Sequence, residues 1–403
     1  MQTQSATQPR LWTRDMILLL GSTFLMWSSF YFLLPVLPLY VVQRLGGTPA
    51  QVGLQMAVLG VLSVPARLFS GWACDRWGRR AVQLLFLAFF CVVMFSYNLA
   101  TTFGILLLVR LVHGLPFGGG TTAGQVVASD LVPASRRGEG IGYYVLVGTL
   151  AMAMGPTLAL TLLHRGDFGR VFVVAGLLAL AALLLAWAIR HPPVRNPAAR
   201  FSLAGLFEPR VLWVSMVGLF IALSYSAVVS FVSLYAQELG VANAGIFFTL
   251  YAVGMAIIRP AAGRIFDRRG PGLVMAGGLP LLALSYLALA LWRTQAGYLA
   301  GGLFFGLGYG AVIPTLQAMA VNLVAPVRRG AANATLYAIF DGGMSIGPYL
   351  NGLLAEAGGY STMYLAGAAL LVVPAGLFFA RVLPRYRVSG LGSRVTGREQ
   401  RET

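Results

Sequence analysis

Apolar runs of membrane-spanning length recur along this chain, separated by short polar or arginine-bearing segments. The first, Met16 to Val42, holds 27 residues without a charge, past the roughly 20 that cross a bilayer and too long for a signal-peptide core. Similar runs predict helices near 16–42, 50–73, 81–100, 103–129, 139–163, 170–189, 211–237, 243–265, 273–292, 296–323, 331–355 and 360–380. The expected fold is an all-α membrane protein of twelve transmembrane helices. An even number places both termini on one side. Polar residues are unevenly shared: spans 3, 6, 9 and 12 are the plainest, whereas spans 1, 4, 5, 7, 8, 10 and 11 carry Ser, Thr, Gln, Asn, Gly and the ionisable residues. Every third helix is therefore expected to face lipid.

Composition agrees: 58% of residues are hydrophobic and 10% charged, where a soluble chain has about a quarter charged. Cys74 and Cys91 lie in or beside spans, which suggests neither a disulfide framework nor a metal site; no cofactor is expected. The net charge of +17 raises nucleic-acid binding as a question, and its placement answers it. All 29 basic residues are arginine; Arg44, Arg165, Arg170 and Arg293 fall at one end of the bundle and Arg110 within a span, while the rest lie in or beside the loops and tails of the other end. That asymmetry fixes topology, with the arginine-rich end and both termini in the cytoplasm of a bacterial inner membrane. The partners expected are the lipid bilayer, a small-molecule substrate and protons, with no nucleic acid and a monomeric chain.

Shifting the chain on itself by 192 aligns Arg67 with Arg259, Gly71 with Gly263, Asp75 with Asp267, Arg76 with Arg268 and Gly78 with Gly270. Gly114 then falls on Gly306, Gly118 on Gly310, and Gly155-Pro156 on Gly347-Pro348. The shift spans six helices, so two like-oriented bundles are expected about an axis along the membrane normal, with a substrate site between them. The division expected is a cytoplasmic tail (1–15), an N-terminal six-helix bundle (16–189), a Pro- and Arg-rich cytoplasmic linker (190–210), a C-terminal six-helix bundle (211–383) and a cytoplasmic tail (384–403).

On these residues the sequence resembles the major facilitator superfamily, and within it the drug/proton antiporter-like twelve-span group. Gly71, Asp75, Arg76, Gly78, Arg79 and Arg80 match that superfamily's loop 2–3 motif, Arg110 with Gly114 its fourth-span motif, and Gly148 with Gly155-Pro156 the fifth-span motif associated with antiporters. The resemblance covers residues 15 to 383 or so and implies the major facilitator fold. The family's fourth span usually carries Gln where this chain has His113, and the first span lacks the buried acidic residues that some multidrug members use.

Asp75 stands where the second span ends, facing carbonyl groups of like sign, a placement that makes sense if another helix start lies nearby. Asp75 and Asp267, with Arg76 and Arg268, are expected to latch the halves at the cytoplasmic rim when the outer mouth is open, Gly71 and Gly263 allowing close approach. Arg67 and Arg259 either pair within that latch or snorkel to the headgroups. Gly155-Pro156 and Gly347-Pro348 interrupt helical hydrogen bonding and offer rocking points. Arg110 sits ~10 Å below the outer surface, and arginine does not release its proton. Asp341 is the only carboxylate deep within a span. It is the expected proton carrier, with His113 and Arg110 tuning it; the plainer alternatives are a structural hydrogen bond for Asp341 and packing for His113. Trp27, Phe30, Tyr31, Tyr225, Tyr309 and Tyr337 offer surfaces for an apolar or amphipathic solute.

The function expected is secondary transport: proton-coupled export of a small organic compound by rocking of two bundles. The alternatives are a proton symporter importing a sugar or organic acid, and an exporter of a metal-chelating metabolite. No nucleophile–base pair, HExxH or phosphate loop supports an enzyme.

Overall fold

The computed structural model describes residues 11–133, 136–163, 166–191, 207–325 and 328–388. These are helical throughout their spans, with no strand among the described residues. The N-terminal half comprises α1 (Arg14–Gln43), α2 (Pro49–Trp77), α3 (Arg79–Ser96), α4 (Phe103–Leu131), α5 (Arg137–Leu162) and α6 (Phe168–Trp187). The C-terminal half opens with α7 (Leu212–Glu238), α8 (Ile246–Arg269), α9 (Pro271–Leu291) and α10 (Gln295–Asn322). A hydrogen-bonded stretch from Arg329 follows, broken at Gly359, whose φ of 77° and ψ of 172° no helix contains. It therefore makes two spans, α11 (329–358) and α12 (360–388), where apolar length alone shows a single segment of 58 residues. Only glycine takes that backbone cheaply, so a one-residue turn replaces a loop.

Helix ends follow local chemistry that the two halves share. Thr102 and Thr294, 192 residues apart, each accept a backbone N–H in the first turn of α4 and α10. Gly78 and Gly270, also 192 apart, sit at φ 96° and 77° between α2 and α3 and between α8 and α9. Thr48 and Gln51 close a capping box at the start of α2. Within each half, glycines of the fourth and tenth helices let backbones touch in matching register. A Cβ on Gly118 would lie 2.9 Å from Ser63 Cα, and one on Gly310 2.9 Å from Met255 Cα. The twofold relation read from the sequence is thus carried by the contacts themselves.

Helices α3, α6, α9 and α12 turn Leu85, Val92, Leu177, Leu184, Leu284, Leu291, Val372 and Phe379 outward. α7, by contrast, is 83% buried over its central window. Enclosure does not follow the expected division throughout: α5 and α8, 28% and 33% buried, are less enclosed than α3 and α9, at 50% each.

Contacts between the halves concentrate away from the arginine-rich end. Gln43 donates to Gln237 at 3.1 Å, the Ala50 N–H to Glu356 at 3.2 Å, and Thr157 to the Gly245 carbonyl at 3.0 Å. At the arginine-rich end, a Cβ on Gly71, Gly142, Gly263 or Gly330 would meet nothing within 4 Å. The molecule is closed at one end and parted at the other. Asp75 accordingly pairs with Arg79 of its own bundle at 2.8 Å and remains half exposed. The latch between Asp75 and α11 belongs to the state closed at the arginine-rich end, and for that state it stands as a proposal.

The described residues before α7 are pinned by one ion pair. Glu208 accepts from Arg328 at 2.9 Å, and that guanidinium holds the Glu208 carboxyl below the usual carboxylate range. Because the folded value is the lower one, the pair contributes fully above the ordinary glutamate value of about 4.3. The contribution is lost as pH falls through the folded value. Acidification, or Arg328→Gln at neutral pH, is expected to speed proteolysis within 190–210; equal cleavage of the variant and the parent would contradict it.

Candidate functional site

Three small residues on α2 and α11 bring those helices together across the halves. A Cβ on Gly53 would collide with the Pro348 carbonyl, one on Gly60 with the Ser345 hydroxyl, and one on Gly352 would stand 3.0 Å from Ala50 Cα. The same approach recurs on the other flank, where a Cβ on Gly245 would lie 2.8 Å from Thr157 Cα. Gly53 with Tyr349 and Gly245 with Thr157 are related by the 192-residue shift.

Further along α2 the interface becomes charged. Arg67 Nε lies 3.1 Å from Asp341 Oδ2 of α11, with side chains 27% and 22% exposed. This is an ion pair without an aligned hydrogen bond, since neither of these two atoms has a well-directed partner. On the other flank Arg259 of α8 donates to the Thr149 hydroxyl of α5 at 3.0 Å. Arg67 maps onto Arg259 and Asp341 onto Thr149 under the same shift. The two seams are one contact in duplicate, with a carboxylate in one copy and a hydroxyl in the other. Thr149 also donates to the Val145 carbonyl at 3.2 Å, and Arg259 Nε is buried without an acceptor. Arg67, read in sequence as a latch or headgroup residue, is therefore the partner of Asp341 within the membrane. Its signal was the self-alignment, which also carries the position of Asp341 onto Thr149.

Tyrosines gather around this pair of seams. Tyr337, which accepts from Gln317, lies within electrostatic reach of Arg67, Asp341 and Arg259. Tyr309 lies within reach of Arg259, Tyr31, Tyr225 and Tyr337. Tyr225 stacks on Tyr309 at 4.6 Å, and Trp27 on Tyr31 at 5.5 Å. Five of the six aromatic residues expected to meet solute thus keep partial exposure. Phe30 does not: it is buried within the N-terminal bundle, stacked on Phe117 at 4.1 Å.

Arg110 and His113 form a separate site. Arg110, 1% exposed, donates to the Gln55 carbonyl at 3.3 Å and the Tyr97 hydroxyl at 3.4 Å. His113 Nδ1 lies 2.8 Å from the same hydroxyl, and His113 Nε2 and the Gln55 amide are buried without partners. Gln55 precedes Arg67 by twelve residues on α2, which separates the two sites by roughly 18 Å of helix. Arg110 and His113, expected to tune Asp341, are held by other partners roughly two to three turns of α2 away from it.

The sequence pattern of the Major Facilitator Superfamily matches residues 19–244 and 214–399. The chain belongs to the Major Facilitator Superfamily. It is a membrane transporter of small molecules and not an enzyme. Among relatives, the multidrug resistance protein MdtG of Enterobacter lignolyticus is 26% identical over 91% of this chain and 92% of its own length. The staphylopine export protein of Staphylococcus aureus is 24% identical, covering 85% of this chain and 90% of its own. In three dimensions, a mutant of the nucleoside transporter NupG superposes with a TM-score of 0.78 at 16% identity, over 91% of this chain and 99% of its own. A bacterial homologue of the lysosomal transporter Spinster, inward-facing and unoccupied, gives 0.70 at 16% identity, over 97% and 98%. These solved structures establish the major facilitator fold.

The superfamily loop between α2 and α3 has its own local logic. Arg79, 8% exposed, bridges Asp75 and Asp130 at 2.8 Å each and donates to the Cys74 carbonyl at 3.0 Å. It ties α2, α3 and α4 into one rim. Arg80 reaches the Trp187 carbonyl at 3.4 Å, attaching α6 to that rim. Gly155 and Gly347 pack inside their own bundles, against Tyr31 of α1 and Leu223 of α7. Pro348 meets the other half through its carbonyl at Gly53, and Thr157, next to Pro156, meets it at Gly245.

Proposed function

We propose that this transporter exports a small organic compound in exchange for protons, rocking its two bundles about the α2–α11 and α5–α8 seams. The observation that carries the reading is the ion pair of Asp341 with Arg67, a mid-membrane carboxylate set on the interface that must open and close. Ionised, Asp341 binds α11 to α2 and favours the state closed at the end opposite the arginines. Protonated, it gives up the charge that attracts Arg67, and the seam loosens. Burial raises the cost of an ionised carboxylate, and the Arg67 guanidinium offsets part of that cost. With the arginine-rich end in the cytoplasm, the present form is open to the cytoplasm. Export is supported by the relatives, a multidrug resistance protein and a staphylopine export protein.

Everted membrane vesicles with an acidified lumen provide the test. A panel of amphipathic dyes and amino-acid-derived compounds should contain members that accumulate in the lumen and partly collapse the pH gradient as they enter. Accumulation only in right-side-out vesicles, driven by an acidic exterior, would replace export with import by symport.

A further inference from the structure

We infer that Arg67, Asp341 and Arg259 form a receptor for a zwitterionic solute, a compound carrying a protonated amine and at least one oxyanion. The inference rests on the proton-exchange reading above and names the substrate class of that site. Its starting point is a charge imbalance. The two seams present two guanidinium groups and one carboxylate. α10 contains no charged residue and α7 only Glu238, at its far end. On α8 the next charge is Arg264, more than one turn beyond Arg259 and bonded to the Pro260 carbonyl. On α2, α5 and α11 the next are Asp75, Glu139 and Arg329, two turns or more away. Tyr337 and Tyr309 are the titratable neighbours from α11 and α10.

Exchange imposes a sign. A solute that expels a proton must stabilise the ionised form of Asp341, and a cationic group does that. An anion alone would do the reverse and bring a proton with it. An amine at Asp341 takes the place of Arg67, whose pairing there is already poorly aligned. Two guanidinium groups then face the cleft without a carboxylate, and Arg259 Nε already lacks any acceptor. Forked donors of this kind match carboxylate or phosphate oxygens. A purely cationic solute would leave both arginines uncompensated in a site of low polarity. Only a solute with both signs satisfies the carboxylate and the two arginines together, while Tyr31, Tyr225, Tyr309 and Tyr337 receive its apolar body.

A matched series tests this on the full-length protein in detergent. Phenylalanine, phenethylamine and 3-phenylpropionate share one aromatic body and differ in charge. Aspartylphenylalanine and phosphotyrosine add a second carboxylate or a phosphate, which separates those two oxyanion sources. Binding is read by calorimetry and proton release by a pH dye in weak buffer. The zwitterions should bind at least about tenfold more tightly than either single-charge analogue, the increment of one charged hydrogen bond, and should release protons. Arg259→Gln should lose about that factor for the zwitterions and nothing for phenethylamine, with Arg259→Lys partly restoring it. Unchanged gel-filtration and unfolding profiles exclude misfolding as the cause. The inference is overturned if phenethylamine binds best, if no zwitterion binds, or if Arg259→Gln leaves zwitterion binding intact. Tight zwitterion binding without proton release would keep the receptor and remove the exchange reading. Proton release led by phenethylamine would do the opposite.

Discussion

Asp341→Asn is expected to uncouple the transporter while leaving it able to move its solute. Asparagine keeps the size and a hydrogen-bonding oxygen but has no proton to cycle. In proteoliposomes, accumulation against a gradient should fall by roughly tenfold for each unit of imposed pH difference, the driving force of one proton. Counterflow, which needs no pH gradient, should persist at raised solute concentration, with a weaker apparent affinity because the carboxylate that receives the amine is gone. Because Arg67 loses its charged partner 3.1 Å away, the variant should also spend less time closed at the end opposite the arginines. Full pH-driven accumulation by the variant would remove Asp341 from coupling. Loss of counterflow at every solute concentration, with altered gel-filtration or unfolding profiles, would assign it to folding instead.

Gly53→Val is expected to stop the cycle by a different route. The new side chain would enter the Pro348 backbone and crowd Tyr349, whose Cα would stand 2.8 Å from the added Cβ. Overpacking of this kind costs about 1–3 kcal/mol. Placed at a seam made only when that end closes, it shifts the equilibrium by roughly 5- to 150-fold toward opening there. Cysteines placed at Gln43 and Gln237, whose side chains now touch at 3.1 Å, should cross-link readily in the parent and poorly in the variant. Gly277→Ala, at a position with nothing within 4 Å, should leave both cross-linking and transport unchanged. Equal cross-linking in the Gly53 variant would show that α2 and α11 can separate here without opening the interface.

Much of this architecture could be read from the chain because bilayer thickness and backbone hydrogen bonding leave few choices. The span near 50–73 became Pro49–Trp77, gaining a charged end with Asp75 and Arg76 that hydropathy does not count, and that near 296–323 became Gln295–Asn322, a shift of one residue. The gap left between the spans near 331–355 and 360–380 closes in the structure to a turn at Gly359, where one positive φ is enough to make it. Asp341 was legible as a lone mid-span carboxylate. Its partner was not, because Arg67 and Arg110 are both arginines within or near spans, and only the packing of α2 on α11 distinguishes them. Phe30 was misplaced for a related reason: a helical face containing Trp27 and Tyr31 also contains residues turned one step further, into the bundle.

The unlike pair of seams has a mechanical consequence. A symmetric ancestor built from two identical copies would have had either acid or alcohol at both flanks, so that acidity would have relaxed both or neither. In this fused chain the Thr149–Arg259 flank has no ionisable acceptor to neutralise. Under the proposed exchange only the opposite flank answers to acidity, which would make this side the fulcrum and give the opening a direction.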